Sequence, residues 1–414
     1  MSVREDAREI GLAAVKSVAP DAAVRRYLED RSYGAGIVVV AIGKAAWAMA
    51  KAASGVLGDR IDRGIVITKD GHSGGEIDRF VVREASHPIP DERGIKATAE
   101  AIEMARGMAE EDTLLFFVSG GGSALFEKPL PGVTLDDLKD VTDQLLRAGA
   151  DIVTVNAVRK RLSAVKAGRF ALEVAPARVE TVALSDVLGD RLDSIASGPA
   201  YPDQTTTDEV VEAVRRYKLK LPEELEKSIR EETPKELSNV ESHVIGSVPV
   251  LCEAAREEAA RRGYSALVLT TFLEGEAREA GRFIAAIERE LRASGRPLEP
   301  PCAIVLGGET VVHVTGDGRG GRNQEMALSV ALELDGASRF AFLAIGSDGT
   351  DGPTDAAGGI VDGGSASRIR TKGGNPRELL ENNDSYAALG LSEDLIMTGP
   401  TGTNVNDLAL LLVE

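Results

Sequence analysis

GGETVVHVTGDGRGGRNQE, residues 307–325, is the stretch from which the fold can be read. It opens on Gly307 and Gly308 and continues through a β-branched run at 310–315, which has strand character. The loop GDGRGGR follows, and then Ala327, Val330, Ala331 and Leu334 recur at helical spacing. The reading is strand, glycine loop, helix, and the apolar run at 340–345 completes a βαβ unit. Such a loop turns backbone N–H groups toward the helix start, where anions bind. Arg322 stands at that start, with a planar guanidinium suited to carboxylate or phosphate. Gly316, Gly318 and Gly321 also satisfy the dinucleotide spacing G-x-G-x-x-G, and Asp335 lies at nearly the expected distance beyond, so NAD binding is a competing reading. The arginine argues against it, because helix and pyrophosphate must approach closely at that point.

Outward from this stretch the strand–helix alternation repeats. Runs at 37–42, 65–68, 80–83, 114–118 and 179–184 read as strands on one side, with 243–246, 266–270 and 304–306 nearer the loop. Helical patterns lie between them, including 5–30, 134–150 and a basic stretch, VNAVRKRLSAVKAGRFA, at 155–171. Alternation of this kind predicts α/β layers with largely parallel sheets, with ligands at the carboxyl ends of strands. Residues 208–239 are charged and interrupted at Pro222 and Pro234, which makes them the expected domain boundary.

Composition narrows the function. The chain has 414 residues, 43% of them apolar, enough for two domains with substantial cores. A net charge of −18 argues against broad nucleic-acid or anionic-membrane binding, and no apolar run reaches the length of a membrane span. Cys252 and Cys302 are far apart with no CxxC, and the N-terminal MSVREDAREIG lacks a signal-peptide core. A cytoplasmic protein in a reducing compartment is expected.

The candidate chemistry follows strand ends. Lys44 is the first polar residue after the strand at 37–42 and opens a helix, where it can meet an anion; the alternative is a solvated lysine. Ser119, Gly120, Gly121, Gly122 and Ser123 follow another strand, and three successive glycines can aim consecutive N–H groups inward as an anion nest. SDVLGD, residues 185–190, puts two carboxylates after a strand: Asp186 could act as general base or hold a metal, or the pair are turn or cap aspartates. Asp348, Asp351 and Asp355, in SDGTDGPTD, suit Mg²⁺ shared with phosphates. His72, His87, His243 and His313 do not fall at zinc-ligand spacing, and there is no G-x-S-x-G elbow. Nests, cations and loop carboxylates together are the inventory of phosphoryl transfer, which depends on positioning and charge neutralisation.

These residues carry a resemblance. AIGKAA, SHPIPD, FVSGGGSALFEKP, NAVRKRLSAVKAGR, SDVLGD with IASGP, GGETVVHVTGDGRGGRNQE, SDGTDGPTDAAGG and GPTGTNVNDL run nearly end to end, and the chain resembles the glycerate 2-kinases, or class II glycerate kinases, with a C-terminal MOFRL region. One departure is Arg161, where the family usually has histidine. The resemblance implies two α/β domains: residues 1–235, Rossmann-like, three-layer α/β/α with a mostly parallel sheet, and residues 236–414, a mixed-sheet domain holding the MOFRL region at about 300–410. It implies ATP- and Mg²⁺-dependent phosphorylation of D-glycerate at its 2-hydroxyl, giving 2-phosphoglycerate and ADP, with the active site in the cleft between the domains. It makes Lys44 and Arg322 the catalytic and substrate-binding pair; Asp186, from its place after a strand, is the further catalytic candidate. ATP then falls to Ser119–Ser123 and to Gly318, Gly320 and Gly321, and the metal to Asp348 and Asp351. Glycerate and ATP are the expected partners, with neither nucleic acid nor membrane, and a homodimer is left open. Some members carry a hydroxypyruvate-reductase label, so an NAD(P)H-dependent hydroxypyruvate reductase is the alternative activity, and a nucleotide-sensing module without catalysis is a third.

Overall fold

The run at 37–42 is apolar at every position because the strand it forms is covered on both faces. In the structure, a computed structural model describing residues 2–29 and 31–414, this is β1 (Ile37–Ile42). It shares a six-stranded sheet with β2 (Ile61–Lys69), β3 (Phe80–Ala85), β4 (Thr113–Val118), β5 (Arg178–Leu184) and β6 (Val240–Gly246), in the order β3-β2-β1-β4-β5-β6. The pairs β1–β2, β1–β4, β2–β3 and β4–β5 are parallel. Val38, Val40 and Ile42 enter a core with Phe116, Phe126 and Phe170, whose rings contact at centroid distances of 5.0 to 5.8 Å. Val39 and Ala41 enter a second core with Met49, Ala50 and Leu115 on the other face. The period-two alternation of a strand explains this division and yields helix–sheet–helix layering.

The order also locates a crevice. From β1 the chain builds β2 and β3 on one side and then returns to place β4 on the other. Loops leaving β1 and β4 therefore diverge, and ligands of doubly wound sheets bind at that switch point.

The second sheet has the order β11-β10-β9-β12-β8-β7, from β7 (Ser265–Leu273), β8 (Cys302–Gly308), β9 (Phe340–Gly346), β10 (Gly358–Val361), β11 (Leu395–Ile396) and β12 (Asp407–Val413). β12 lies inside it, antiparallel to both β8 and β9, while β7 and β8 are parallel. The α/β class with one parallel and one mixed sheet agrees with expectation. Cys252 and Cys302 are buried and free, and burial pushes the Cys252 thiol up to about 12. Among the described residues no helix is long and apolar enough to cross a membrane.

Three local expectations are corrected. The chain divides by contact into Ala23–Ile245 and a unit combining Met1–Ala22 with Gly246–Glu414, not at 235/236. β6 pairs into the first sheet, which moves the boundary past it. The first helix, Val3–Ser17, belongs with the C-terminal segment: Ala7, Ile10 and Ala14 are buried, and Gly11 leaves room for Leu343 of β9. Polar anchors reinforce that docking, since Arg262 and Tyr264 donate to Asp6, and Arg4 pairs with Asp362 and Asp394.

Residues 310–315 are not a strand. Val311 makes a single parallel bridge to Glu276, its N–H donating to Gly275 O and its carbonyl accepting from Ala277 N–H. Further on the amides turn to a side chain: the N–H groups of Thr315 and Gly316 donate to Asn383 Oδ1. The basic stretch is not one helix either. It breaks after the helix Ile152–Arg161, with Ala167 and Gly168 at φ +55° and +80°, and resumes as Arg169–Val174.

Ile10→Ala tests the assignment of the first helix. Removing a fully buried Ile typically costs about 2–5 kcal/mol, and urea unfolding should show a loss in that range. A loss below roughly 0.5 kcal/mol, the usual scale of surface changes, would show that the helix contributes no core.

Candidate active site

Past the ends of β1 and β4 the backbone remains stitched together. Ser119 N–H and its Oγ–H both donate to Ile42 O, Ser119 Oγ accepts from Ala45 N–H, and Lys44 N–H donates to Gly120 O. Gly43, at φ +107°, allows this approach, because a Cβ there would lie 2.3 Å from Ser119 Oγ. The turn carrying Lys44 and the turn carrying the glycines are thereby one structure.

The three glycines are each demanded by a neighbour. A Cβ on Gly120 would lie 2.4 Å from Asp186 Oδ2; on Gly121, 3.3 Å from Lys44 Cγ and 3.0 Å from the His87 ring; on Gly122, 2.8 Å from Ala196 Cβ. Lys44, Ser119–Ser123 and Asp186, chosen from separate parts of the sequence, thus meet at the switch point, and His87 joins them. Lys44 is half-buried, and its ammonium has no ion pair or hydrogen bond with any described residue. The floor beneath is held by Lys166, which is fully buried, donates to the carbonyls of Ser123 and Phe126, and lies 3.4 Å from Glu127. Burial draws the Lys166 ammonium down to about 8. Burial, followed by Lys44, Lys69 and His72, also holds the His87 imidazole below its ordinary value.

Two more cations of the basic stretch are spent on internal packing. Lys160 pairs with Asp203 at 3.1 Å, and Arg161, wholly buried, donates to Glu232 and to the carbonyls of Glu231 and Thr205. Arg159 and Arg169 stay half-buried.

Arg322 opens the helix Arg322–Glu333 in the other unit. Its Nε and Nη2 donate to the two oxygens of Asp407, at 2.5 and 3.1 Å, and Nη1 donates to Glu309 at 2.8 Å. Burial pulls the guanidinium down, but the Asp407 carboxylate outweighs it and raises it above its ordinary value. Asp407 is 8% exposed and Glu309 45%, so one partner is fixed and the other exchangeable. The sequence showed neither; Asp407, at the mouth of an apolar strand in VNDLALLLV, was the available signal.

The aspartates separate. Asp351 is buried and caps the Arg322–Glu333 helix: it accepts from the N–H groups of Asn323 and Gln324 and from their side-chain amides. Burial pushes its carboxyl up to about 6, against the pull of those amides. Both oxygens are spent, so Asp351 does not fit a metal. Asp348 is half-buried, and only its Oδ1 is engaged, by Thr350. Among the described residues no group of three His, Cys, Asp or Glu side chains could hold a metal ion. Mg²⁺ shared with phosphates needs only one or two protein oxygens, which Asp348 can supply.

Gly318, Gly320 and Gly321 face their own chain. A Cβ on each would strike Asn382 O, Ser385 Oγ and Asp351, at 2.4, 2.1 and 2.2 Å. They let the loop lie on the 382–385 segment and on the Asp351 cap.

A two-unit α/β protein with a cationic strand-end site is the class these features define. Residues 6–231 match a family described as Domain of unknown function (DUF4147), and residues 302–407 match the MOFRL family. The chain is 52% identical to the D-glycerate 2-kinase of Thermotoga maritima, over 100% of this chain and 99% of that protein, and 42% identical to the glycerate 2-kinase of Pyrococcus horikoshii, over 99% and 98%. It superposes on the crystal structure of a Thermotoga maritima glycerate kinase with a TM-score of 0.96 at 51% identity, covering 99% of each chain. The chain belongs to the MOFRL family of glycerate 2-kinases.

Asp407 and Glu309 should differ energetically. Losing hydrogen bonds to a charged, largely buried group costs about 1.5–3 kcal/mol, so Asp407→Ala should lower stability by that order in denaturant titration. Glu309→Ala should cost less than about 1 kcal/mol, as exposed pairs do. Equal losses would refute the division into fixed and exchangeable partners.

Proposed function

We propose that the protein catalyses ATP- and Mg²⁺-dependent phosphorylation of D-glycerate at the 2-hydroxyl, giving 2-phosphoglycerate and ADP. The observation that carries this is the unpaired ammonium of Lys44 at the switch point, on a side chain packed against Gly121, in a glycine turn whose Gly120 lies against Asp186. A partly desolvated cation with no protein partner is costly unless an anionic ligand uses it. The printed activities of the relatives at 52% and 42% identity support the same reading.

The roles follow from chemistry. Substrate and phosphates are anions, so Lys44 neutralises either the carboxylate or charge developing on the transferring phosphoryl group. Within Ser119–Ser123 the amides of Gly120, Gly121 and Ser123 are offered to ATP phosphates, those of Ser119 and Gly122 being spent on Ile42 O and Ser119 O. Asp186 takes the proton of the attacking hydroxyl as its oxygen bonds to the γ-phosphorus and ADP departs with the electron pair. Arg322, oriented by Asp407, turns Nη1 from Glu309 to a carboxylate or γ-phosphate oxygen. Mg²⁺, when bound, neutralises phosphate charge, and Asp348 is the side chain that would hold it.

Nothing in the geometry of the loop favours a dinucleotide. Its glycines meet the protein's own backbone and side chains, and β12 is inserted between β8 and β9, which a dinucleotide βαβ unit would pair directly.

A coupled ADP assay with ATP, Mg²⁺ and a panel of hydroxy acids, with the product identified by NMR, tests the activity. Glycerate-dependent ADP with 2-phosphoglycerate is expected; no glycerate dependence would refute the activity, and 3-phosphoglycerate alone the regiochemistry. Lys44→Ala should lose roughly 10²–10³ in rate, the usual cost of removing such a donor, with an unchanged thermal melt. Arg322→Lys should also lose most activity, since an ammonium cannot reproduce the fork. Asp348→Asn should raise the Mg²⁺ requirement; an unchanged titration would remove Asp348 from the metal.

A further inference from the structure

His87 belongs to SHPIPD, a segment that no step above uses. Its imidazole lies over Gly121, with Cδ2 and Nε2 at 3.0 and 3.1 Å from the point a Cβ would occupy, and Lys44 Cγ is 3.3 Å from that same point. The ring is half-buried and makes no hydrogen bond to any described residue. The segment holding it is anchored: Asp91 caps the helix Glu92–Ala105 through Gly94 N–H, and Arg93 ties Asp91 to Asp70. A positioned imidazole with no protein partner, beside a cation with none, is available to the same ligand.

Its protonation state narrows the contact. The charged and titratable groups facing it are Lys44 from the turn after β1, and Lys69 and His72 from the end of β2. These cations and burial favour the neutral ring at pH 7. A neutral imidazole offers one N–H donor and one acceptor nitrogen, the complement of a hydroxyl rather than of an anion. In glycerate the carboxylate is matched by the cations and the 2-hydroxyl by the transfer itself. The 3-hydroxyl is the group left over.

We infer that His87 is a specificity-determining residue that hydrogen-bonds the 3-hydroxyl of the acceptor; the inference rests on the glycerate kinase reading. Sites built to hydrogen-bond a substrate hydroxyl reject analogues lacking it by up to about 10⁴–10⁵-fold. D-lactate keeps the carboxylate and the 2-hydroxyl but has a methyl group in place of CH₂OH.

The test compares D-glycerate with D-lactate in the parent, His87→Leu and His87→Gln, by kcat/KM, or by competitive Ki where lactate turnover is undetectable. The parent should prefer glycerate. His87→Leu should collapse that preference by at least about tenfold, and His87→Gln, which keeps a donor and an acceptor, should retain part of it. In the parent the preference should fall as pH drops through a value below the ordinary histidine pKa of about 6.5, and His87→Leu should lack that dependence. An unchanged preference in His87→Leu, or equal losses on both acceptors, would overturn the proposal. A parent with no glycerate-dependent ADP formation would overturn the functional reading and this proposal with it.

Discussion

The contact on which the site depends is the one between Ser119 and the end of β1. In a parallel ladder, hydrogen bonding normally stops where strands end and loops begin to diverge. Here Ser119 extends it: its amide and hydroxyl both reach Ile42 O, and its oxygen receives Ala45 N–H. Gly43 has to be glycine for this to occur, by φ and by contact. The consequence is that Lys44 and Gly121 face each other from adjacent turns without either depending on a flexible loop. Preorganisation of this kind is what phosphoryl transfer asks of a protein, since little covalent chemistry remains to be supplied.

The distribution of paired and unpaired charge gives the same answer from energetics. The chain carries 48 Lys and Arg against 66 Asp and Glu, so partners are abundant. Lys160, Arg161 and Lys166, all buried, each have a carboxylate partner, and Arg322 has two. Lys44 has none among the described residues. Lys69 and Lys128 are also half-buried and have no ion pair among the described residues, so what sets Lys44 apart is its place at the topological switch point.

Much of the fold was legible because fully buried strands read as apolar runs, and the runs in the 37–42, 114–118 and 340–345 regions stand as β1, β4 and β9. The site was legible where chemistry follows such a run directly, as at Lys44 and SGGGS. What could not be read depends on partners distant in sequence. Residues 310–315 have strand composition, yet Val311 pairs only through one bridge to Glu276 and Thr315 turns to the Asn383 side chain. Asp351 resembles a loop ligand until its position over a helix start is seen. The first helix has an ordinary amphipathic pattern that does not say which core it covers. His87 has no signal in the spacing of the histidines, which says nothing about a lysine and a glycine folded beside one of them.

The G-x-G-x-x-G spacing shows how one pattern can arise from a different constraint. In a dinucleotide loop the glycines make room for a pyrophosphate. Here the room is taken: Gly316 and Gly318 lie against Asn382, Gly320 against Ser385 and Gly321 against Asp351. Asn382, Asn383 and Asp384 supply acceptors to the amides of 315–319, standing in for the ladder the segment lacks. That packing brings the loop back to the start of the Arg322–Glu333 helix at a fixed height, and the Asp351 cap holds it there. Arg322 then leaves the helix at its first residue with Asp407 on one edge of its fork, so a single Nη1 remains to be exchanged from the half-exposed Glu309. The glycines therefore set the position of one guanidinium, in room that their spacing alone would have given to a pyrophosphate.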